Sequence, residues 1–225
     1  MFAVSHLNGF NVGGGGDPYF SSVVSLLHFN GTDASTTFSD AFRTWTANGN
    51  AQIDTAQSVF GGASGLFDGT TDFIQASTSA DFDFSTGDWT VEFRLRFAAL
   101  EDAAILSANA GSNNIIFNTA GNILQVTFSG GTKSSTALTA GTNTWYAIAI
   151  SRVGNTLYFF EDGAGIGTAS VTGESADFSA TSVNIGALAN GNNSHNGWID
   201  EYRVTKGVGR YSANYSIDTA AFPDN

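Results

Sequence analysis

Hydrophobic and polar residues alternate along residues 89–97, WTVEFRLRF, with the two-residue period of a β-strand. The apolar residues of this segment share one face. The other face carries three charged residues, Glu92, Arg94 and Arg96. If this strand neighbours the one that contains Glu201 and Arg203, opposite charges on facing positions predict exposed cross-strand ion pairs.

Most of the remaining chain consists of short apolar segments separated by loops rich in Asn, Gly, Ser and Thr. The further predicted strands are residues 23–29, 65–69, 72–77, 103–107, 115–118, 124–128, 145–152, 156–161 and 183–188. Residues 32–50, rich in Thr, Ser and Asp, are predicted to form a loop. No segment sustains the 3.6-residue period of an amphipathic helix. Roughly a dozen short strands with Gly-rich turns predict an all-β, two-sheet antiparallel sandwich formed by one domain, residues 17–225.

The segment GWIDEYRVTKGVGRYS, residues 197–212, contains the predicted closing strand. By the period of two, Trp198, Tyr202 and Val204 share the apolar face, which predicts that Trp198 belongs to the core. Asp200 falls on that same face. A buried carboxylate must be hydrogen-bonded, ion-paired or metal-bound, because burial of an unpartnered charge is costly. The opposite face is predicted to hold Ile199, Glu201, Arg203 and Thr205.

Composition narrows the classes of partner. Cysteine is absent, so neither a disulfide framework nor a zinc–thiolate site is available. The chain has 8 basic and 20 acidic residues, a formal net charge of −12, and its basic residues are scattered, which argues against nucleic acid as a partner. No segment approaches the ~18 apolar residues of a membrane-spanning helix. We therefore expect a protein that binds neither nucleic acid nor membrane.

The first 16 residues are predicted to be a docking arm that ends in a flexible joint, the run of four glycines at residues 13–16. The pattern of a secretory signal peptide is absent from them, so we expect no secretion by such a signal. The apolar residues predicted to dock the arm onto a partner are Phe2, Val4, Leu7 and Phe10. The alternative interpretation of this segment is a disordered leader.

Four ordered segments, residues 60–74, 88–97, 145–163 and 197–212, resemble the laminin G-like branch of the concanavalin A-like lectin/glucanase superfamily. The resemblance extends over roughly residues 23–225 and implies a jelly-roll sandwich of two curved sheets. The ending, KGVGRYSANYS followed by FPDN, is similar to versions found in tailed-phage and prophage virion proteins. This similarity implies a virion protein made in the host cytoplasm. It would be multimeric by particle symmetry and attached to capsid, neck or tail subunits through the arm.

The superfamily contains glucanases as well as lectins, and a catalytic member would carry a pair of carboxylates. A retaining glycosidase needs two carboxyl groups about 5 Å apart, which the family's glucanases supply from a Glu-x-Asp-x-Glu strand. That triplet is absent, and no glutamate has an acidic residue two positions away. Histidines stand singly, and neither Gly-x-Ser-x-Gly nor a nucleophilic cysteine occurs. We therefore expect no enzymatic activity. The five glutamates are Glu92, Glu101, Glu161, Glu174 and Glu201.

Laminin G-like domains often hold Ca²⁺ between loops, which implies a possible structural Ca²⁺ bound by Asp, Asn and carbonyl oxygens. The candidate ligands are Asp33, Asp68, Asp72 and Asp200. Purely structural roles compete with this interpretation. Asp68-Gly69 suits a turn, Asp72 suits a cap of that turn, and Asp200 suits bonds from backbone amides or an arginine.

The loop NGNNSHNGW, residues 190–198, is the candidate glycan site, because planar amides and aromatic faces bind sugar hydroxyls and C–H surfaces. Its candidate polar contacts are Asn192, Asn193, His195 and Asn196. An ordinary loop has the same composition. The function hypothesis is therefore a non-enzymatic virion protein that displays a laminin G-like module and contacts host surface polysaccharide. The alternative is a carbohydrate-binding adhesion module of a tail fibre.

Overall fold

The computed structural model describes residues 16–77, 79–108, 113–118, 121–128, 131–179 and 182–225. The described chain is all-β, with two single-turn 3₁₀ helices, Phe20–Ser22 and Ala80–Phe82. Its strands are β1 (Val23–Leu27), β2 (Thr37–Ser39), β3 (Thr44–Asn48), β4 (Gln52–Asp54), β5 (Ser64–Asp68), β6 (Phe73–Ser77), β7 (Asp83–Ser85), β8 (Trp89–Phe97), β9 (Ala103–Ser107), β10 (Asn114–Asn118), β11 (Ile123–Phe128), β12 (Gly131–Ser134), β13 (Trp145–Val153), β14 (Thr156–Glu161), β15 (Ala164–Ser170), β16 (Ala176–Asp177), β17 (Ser182–Ile185) and β18 (Asn196–Lys206).

Two eight-stranded antiparallel sheets form the sandwich, which confirms the predicted fold class. The first, called the β18 sheet here, has the order β15-β14-β13-β8-β18-β5-β4, with β1 also paired to β18. The second, the β9 sheet, has the order β12-β11-β10-β9-β17-β6-β3-β2. Strands β7 and β16 form a small separate pair. One contiguous apolar core, rich in phenylalanine, fills the space between the large sheets.

The predicted hairpin is present, with β13 paired to β14 from Ile148↔Glu161 to Val153↔Thr156. The structure differs from prediction in the Thr-rich segment, where β2 and β3 form a hairpin rather than a loop. Phe38 and Trp45 face each other in that hairpin and are both buried in the core. Each is flanked by exposed polar residues, so strands this short show too little alternation to be distinguished from a loop.

A β-bulge interrupts β18 and changes the face on which its residues lie. Asp200 pairs with Arg94 and Arg203 pairs with Glu92, so two residues of β18 oppose the single residue between those partners on β8. Glu201, in the bulge, has φ = 47°. Before the bulge Ile199 enters the core, and after it Tyr202 and Val204 do. The prediction that places Trp198 and Asp200 on the core face and Ile199 opposite is therefore wrong.

Residues 207–225 lie across the outer face of the β18 sheet. Tyr211 donates a hydrogen bond to Glu92 at 2.8 Å, and the ring of Phe222 lies 3.8 Å from the guanidinium carbon of Arg203. The predicted cross-strand pair between Arg203 and Glu92 is present at 2.9 Å. Both partners are buried beneath this C-terminal segment, so the expectation of exposed ion pairs is wrong. A second buried acid, Asp17, joins the network through Arg203 and Arg210.

No helix in the described part of the chain is long and apolar enough to cross a membrane. The arm residues Phe2, Val4, Leu7 and Phe10 lie outside the described residues. The described chain begins at Gly16, and the next residue, Asp17, donates its amide to the carbonyl of Asn225 at 2.6 Å. The two ends of the domain therefore meet.

Candidate functional site

The residues of the predicted glycan loop differ in their exposure to solvent. Asn192 is exposed, while Asn193 and Asn196 are half-buried. His195 is fully buried, and its ring lies 5.2 Å from Phe97, centroid to centroid. Burial lowers the pKa of His195 to about 4, so the imidazole is neutral at physiological pH. His195 is a core residue, and the prediction that it contacts a glycan is wrong.

Asp68 and Asp72 occupy one end of the sandwich, where the first holds a turn and the second is buried. Asp68 accepts hydrogen bonds from the Asn50 side chain at 2.9 Å and from the Thr70 amide at 2.7 Å. Asp72 accepts the amides of Asn50 and Asp68 at 2.6 and 2.8 Å. The bond from Asn50 lowers the pKa of Asp68, whereas burial raises the pKa of Asp72. These contacts give both carboxylates structural roles.

Asp200 is fully buried beneath a loop on the outer side of the β18 sheet. Its carboxylate accepts the amides of Val59 at 2.7 Å and Phe60 at 3.2 Å, and also the amide of Glu201 at 2.8 Å. Burial raises the pKa of Asp200 to about 7. Backbone amides, the alternative foreseen for this residue, are therefore its partners.

The proposed metal ligands do not converge. Asp68 pairs with Asn196 on β18, and Asp200 lies four residues farther along that strand, roughly 13 Å away at the rise of a β-strand. Asp33 instead accepts the amide of Thr55 at 3.1 Å. Within the described residues, no three or more His, Cys, Asp or Glu side chains form a group that could hold a metal ion. Asp68 and Asp200 therefore lie too far apart to bind the same ion, and a Ca²⁺ site that uses a subset of these candidate ligands stays a prediction.

Four of the five glutamates are engaged by the fold itself. Glu92 pairs with Arg203, Glu161 accepts the amide of Thr139 with both oxygens, and Glu174 pairs with Lys133 at 2.7 Å. Glu201 accepts the amide of Phe222 at 2.7 Å. Glu101 is exposed on a loop. Their roles are therefore those of structural anions and a surface charge.

The β9 sheet presents an uncharged outward face. A single row of paired residues crosses all eight strands: Thr37, Thr46, Gln75, Asn184, Ser107, Asn114, Thr127 and Thr132. Its middle is buried, and Gln75 donates to Asn184 at 2.9 Å there. Only the two ends of the row are open to solvent. The row therefore serves mainly as an internal hydrogen-bond ladder.

The uncovered end of the β18 sheet carries a different arrangement, here called the Trp row: Trp145, Arg96 and Trp198. Arg96 is paired on β8 with Trp145 of β13 on one side and with Trp198 of β18 on the other. All three are half-buried and point outward, because the residues that alternate with them are in the core. Two tryptophans about 10 Å apart thus flank one guanidinium on an open face.

The indole of Trp198 is held in place by its neighbours. Its Nε1 donates to Asp54 Oδ2 at 2.6 Å, and the guanidinium of Arg96 lies 5.3 Å from its ring centroid. Sequence alternation places Trp145 and Arg96 on outward positions, so two members of the row were accessible to prediction. Trp198 was not, because the bulge that turns it outward has no sequence signature.

A small space lies elsewhere on this face, beneath the C-terminal segment. It measures about 10 Å³ and is lined in part by Glu92, Arg94, Tyr215 and Phe222. A volume of this size holds one water molecule at most. A ligand much larger than water would therefore not fit in this space.

The family profile described as the Concanavalin A-like lectin/glucanases superfamily, of the laminin G type, matches residues 68–208, more than half of the chain. A search of curated protein sequences finds no match.

Several solved structures share the fold. Domain 4 of AbnA, an extracellular GH43 arabinanase from Geobacillus stearothermophilus solved with arabinotriose, is 15% identical with a TM-score of 0.64, covering 84% of this chain and 94% of that one. The binding domain of Paraclostridial Mosquitocidal Protein 1 is 14% identical with a TM-score of 0.63, covering 89% and 51%. The botulinum neurotoxin serotype G binding domain is 12% identical with a TM-score of 0.60, covering 88% and 49%. The chain thus spans about half the length of the toxin binding domains it matches.

Proposed function

Because the chain belongs to the Concanavalin A-like lectin/glucanases superfamily, we propose that it is a non-enzymatic carbohydrate-binding module whose glycan site is the Trp row. The observation that carries the proposal is the pair of half-buried tryptophans, Trp145 and Trp198, held in register on the two sides of Arg96. Aromatic faces bind the C–H surface of a sugar ring, and the guanidinium donates to its hydroxyls.

The form of the surface fits a chain-like ligand. The Trp row crosses three adjacent strands and lies beside Leu66 of β5, which pairs with Trp198. It is open rather than enclosed, which suits binding within a polysaccharide more than capture of a free monosaccharide. The solved relatives named above include a domain with a bound arabinose oligosaccharide, and this is consistent with the proposed ligand class.

The absence of catalysis is part of the proposal. A glycosidase places two carboxyl groups on either side of the scissile bond. Near the Trp row the acid with a described contact is Asp54. Its carboxylate accepts a hydrogen bond from the indole N–H of Trp198 and so fixes the position of that ring. The buried Glu92 forms an ion pair with Arg203, and the buried Glu201 accepts a hydrogen bond from the amide of Phe222. Because these carboxylates are already bonded within the fold, they support a binding role for the module rather than a catalytic one.

We propose further that a virion displays this module and that residues 1–16 attach it to a neighbouring subunit. The support is the similarity of the ending, residues 206–216 and 222–225, to phage virion proteins. In the fold this ending covers the β18 sheet through Tyr211 and Phe222 and leaves the Trp row open. The module would then contact host surface polysaccharide from the particle.

The glycan-binding proposal is tested with the full chain. Wild type is screened against soluble neutral and acidic polysaccharides by affinity electrophoresis, and hits are measured by calorimetry. Trp145→Ala should weaken binding about two- to tenfold, which corresponds to the binding free energy that one aromatic contact contributes. The matched control is Phe42→Ala, which removes an exposed aromatic ring away from the row. Failure of wild type to bind any polysaccharide, or equal affinities of Trp145→Ala and wild type, would refute the proposal.

A further inference from the structure

Arg96 differs from the other arginines of the sheet in its partners. Arg203 pairs with Glu92 and Asp17, and Arg210 pairs with Asp17 at 2.6 Å. Arg96 makes one long hydrogen bond, 3.4 Å to the Asn143 side chain, and its described surroundings hold no carboxylate within 4.0 Å. In a chain with a net charge of −12, a half-buried guanidinium that has no acidic partner and whose Nε has no hydrogen-bond partner is unexpected.

The residues around Arg96 leave its guanidinium without a carboxylate partner. Trp198 lies against one side of Arg96 and is itself anchored to Asp54, so that carboxylate is directed at the indole N–H. Arg94, the next outward residue on β8, is occupied differently, because its guanidinium donates to the carbonyl of Asp218 at 2.8 Å. The hydrogen bonds described for the C-terminal segment reach Arg94 and do not extend to Arg96.

A guanidinium that lies against the indole of Trp198, with Trp145 paired on the neighbouring strand, can recognise two features at once. Its planar fork binds a carboxylate through two parallel hydrogen bonds, and such charge-assisted bonds are stronger than bonds to hydroxyls. The tryptophans offer apolar faces to the ring that bears the carboxylate. Two strand spacings separate Trp145 from Trp198, so consecutive units of one oligosaccharide can reach both.

We infer that the Trp row is selective for a sugar acid, with the carboxylate of a uronic acid unit paired to Arg96 and the neighbouring pyranose rings on Trp145 and Trp198. This inference rests on the proposed glycan-binding function and adds the chemical class of its ligand. An acidic peptide shares only the carboxylate and lacks the pyranose rings.

The test compares two ligands by calorimetry on the full chain: an oligogalacturonate, and its carboxyl-reduced form, in which each carboxylate is replaced by a neutral hydroxymethyl group. Arg96→Gln keeps hydrogen-bond donors but loses the charge and the fork. It should weaken oligogalacturonate binding about 10- to 100-fold but weaken binding of the reduced oligomer only about two- to fivefold, because the reduced oligomer loses a hydrogen bond to a hydroxyl and no charge pairing. Lys206→Gln is the control for net charge, since Lys206 donates to the carbonyl of Ala80 elsewhere on the sheet. Thermal melts confirm that each variant is folded.

Three outcomes would overturn the inference: oligogalacturonate binding unaffected by Arg96→Gln, an equal loss in Lys206→Gln, or equal affinity of wild type for poly-glutamate. The results also separate this inference from the proposed function. If Trp145→Ala weakens binding of the reduced oligomer while Arg96→Gln changes neither affinity, the row binds glycans without selecting acids. If wild type binds neither oligomer nor any polysaccharide of the panel, both proposals fail.

Discussion

His28 Nδ1 lies 2.7 Å from Glu201 Oε1, so the residue that follows β1 is joined to the bulge of β18. The other ring nitrogen lies 3.1 Å from Asp224 Oδ1, near the end of the C-terminal segment. The hydrogen bond to Glu201 raises the pKa of His28 to about 9. At neutral pH the ring is therefore a cation between two carboxylates, and it ties the ending of the chain to the sheet.

The first prediction is a loss of stability at alkaline pH. The folded pKa of His28, about 9, exceeds the unfolded value near 6.5, so its contribution is complete below pH 6.5 and is lost as pH rises through 9. The ring is partly exposed, so we expect only about 1–2 kcal/mol after solvent screening. Urea denaturation of wild type and His28→Gln should differ at pH 6 and converge by pH 10. A difference that stays constant with pH would contradict this account.

The second prediction concerns Asp200. Asp200→Ala removes the acceptor of the Val59, Phe60 and Glu201 amides and should destabilise the domain by about 2–4 kcal/mol. Asp200→Asn keeps one carbonyl acceptor and should cost less. The folded pKa of about 7 lies above that of unfolded Asp, so the stability that protonated Asp200 contributes falls as pH rises from about 4 through 7. The gap between wild type and the alanine variant should therefore narrow over that range.

Denaturation at pH 5 measures this effect, and coincident midpoints of wild type and Asp200→Ala would show that the amides are not held by this carboxylate.

Chelation supplies a separate check. Because backbone amides satisfy Asp200 and Asp72, EDTA should leave the wild-type midpoint unchanged. A midpoint that drops with EDTA and recovers with Ca²⁺ would instead support the calcium site expected from the family resemblance.

The third prediction tests the docking arm. Removal of residues 1–16 should leave a folded sandwich with the wild-type melting temperature, because the hydrogen bonds described at this end of the domain begin at Asp17. In the proposed virion, the truncated protein should no longer be incorporated into particles, since apolar side chains such as Phe2 and Phe10 would supply the attachment. Western blots of purified particles measure incorporation. Wild-type incorporation of the truncated protein would transfer the attachment role to the domain itself.

The sequence alone determined the fold class and most strands of this protein. Alternation in residues 89–97 predicts β8 with its observed bounds, and the hairpin of β13 and β14 follows from two apolar segments around Gly154. These features are local, because the period of two reports which side of a strand faces a core. The same local pattern predicts the pairing of Arg203 with Glu92 once their strands are neighbours.

Only the tertiary structure decided which residues form the proposed site. The bulge at Glu201 moves Trp198 from the core side to the outer face, where it meets Arg96, and one inserted residue reverses every assignment on one side of it. Burial of His195 likewise depends on Phe97, a residue distant in sequence. The ending of the chain buries Arg203 through Phe222 yet leaves Arg96 half-buried. A local pattern cannot report such differences, because burial depends on contacts between residues far apart in the chain.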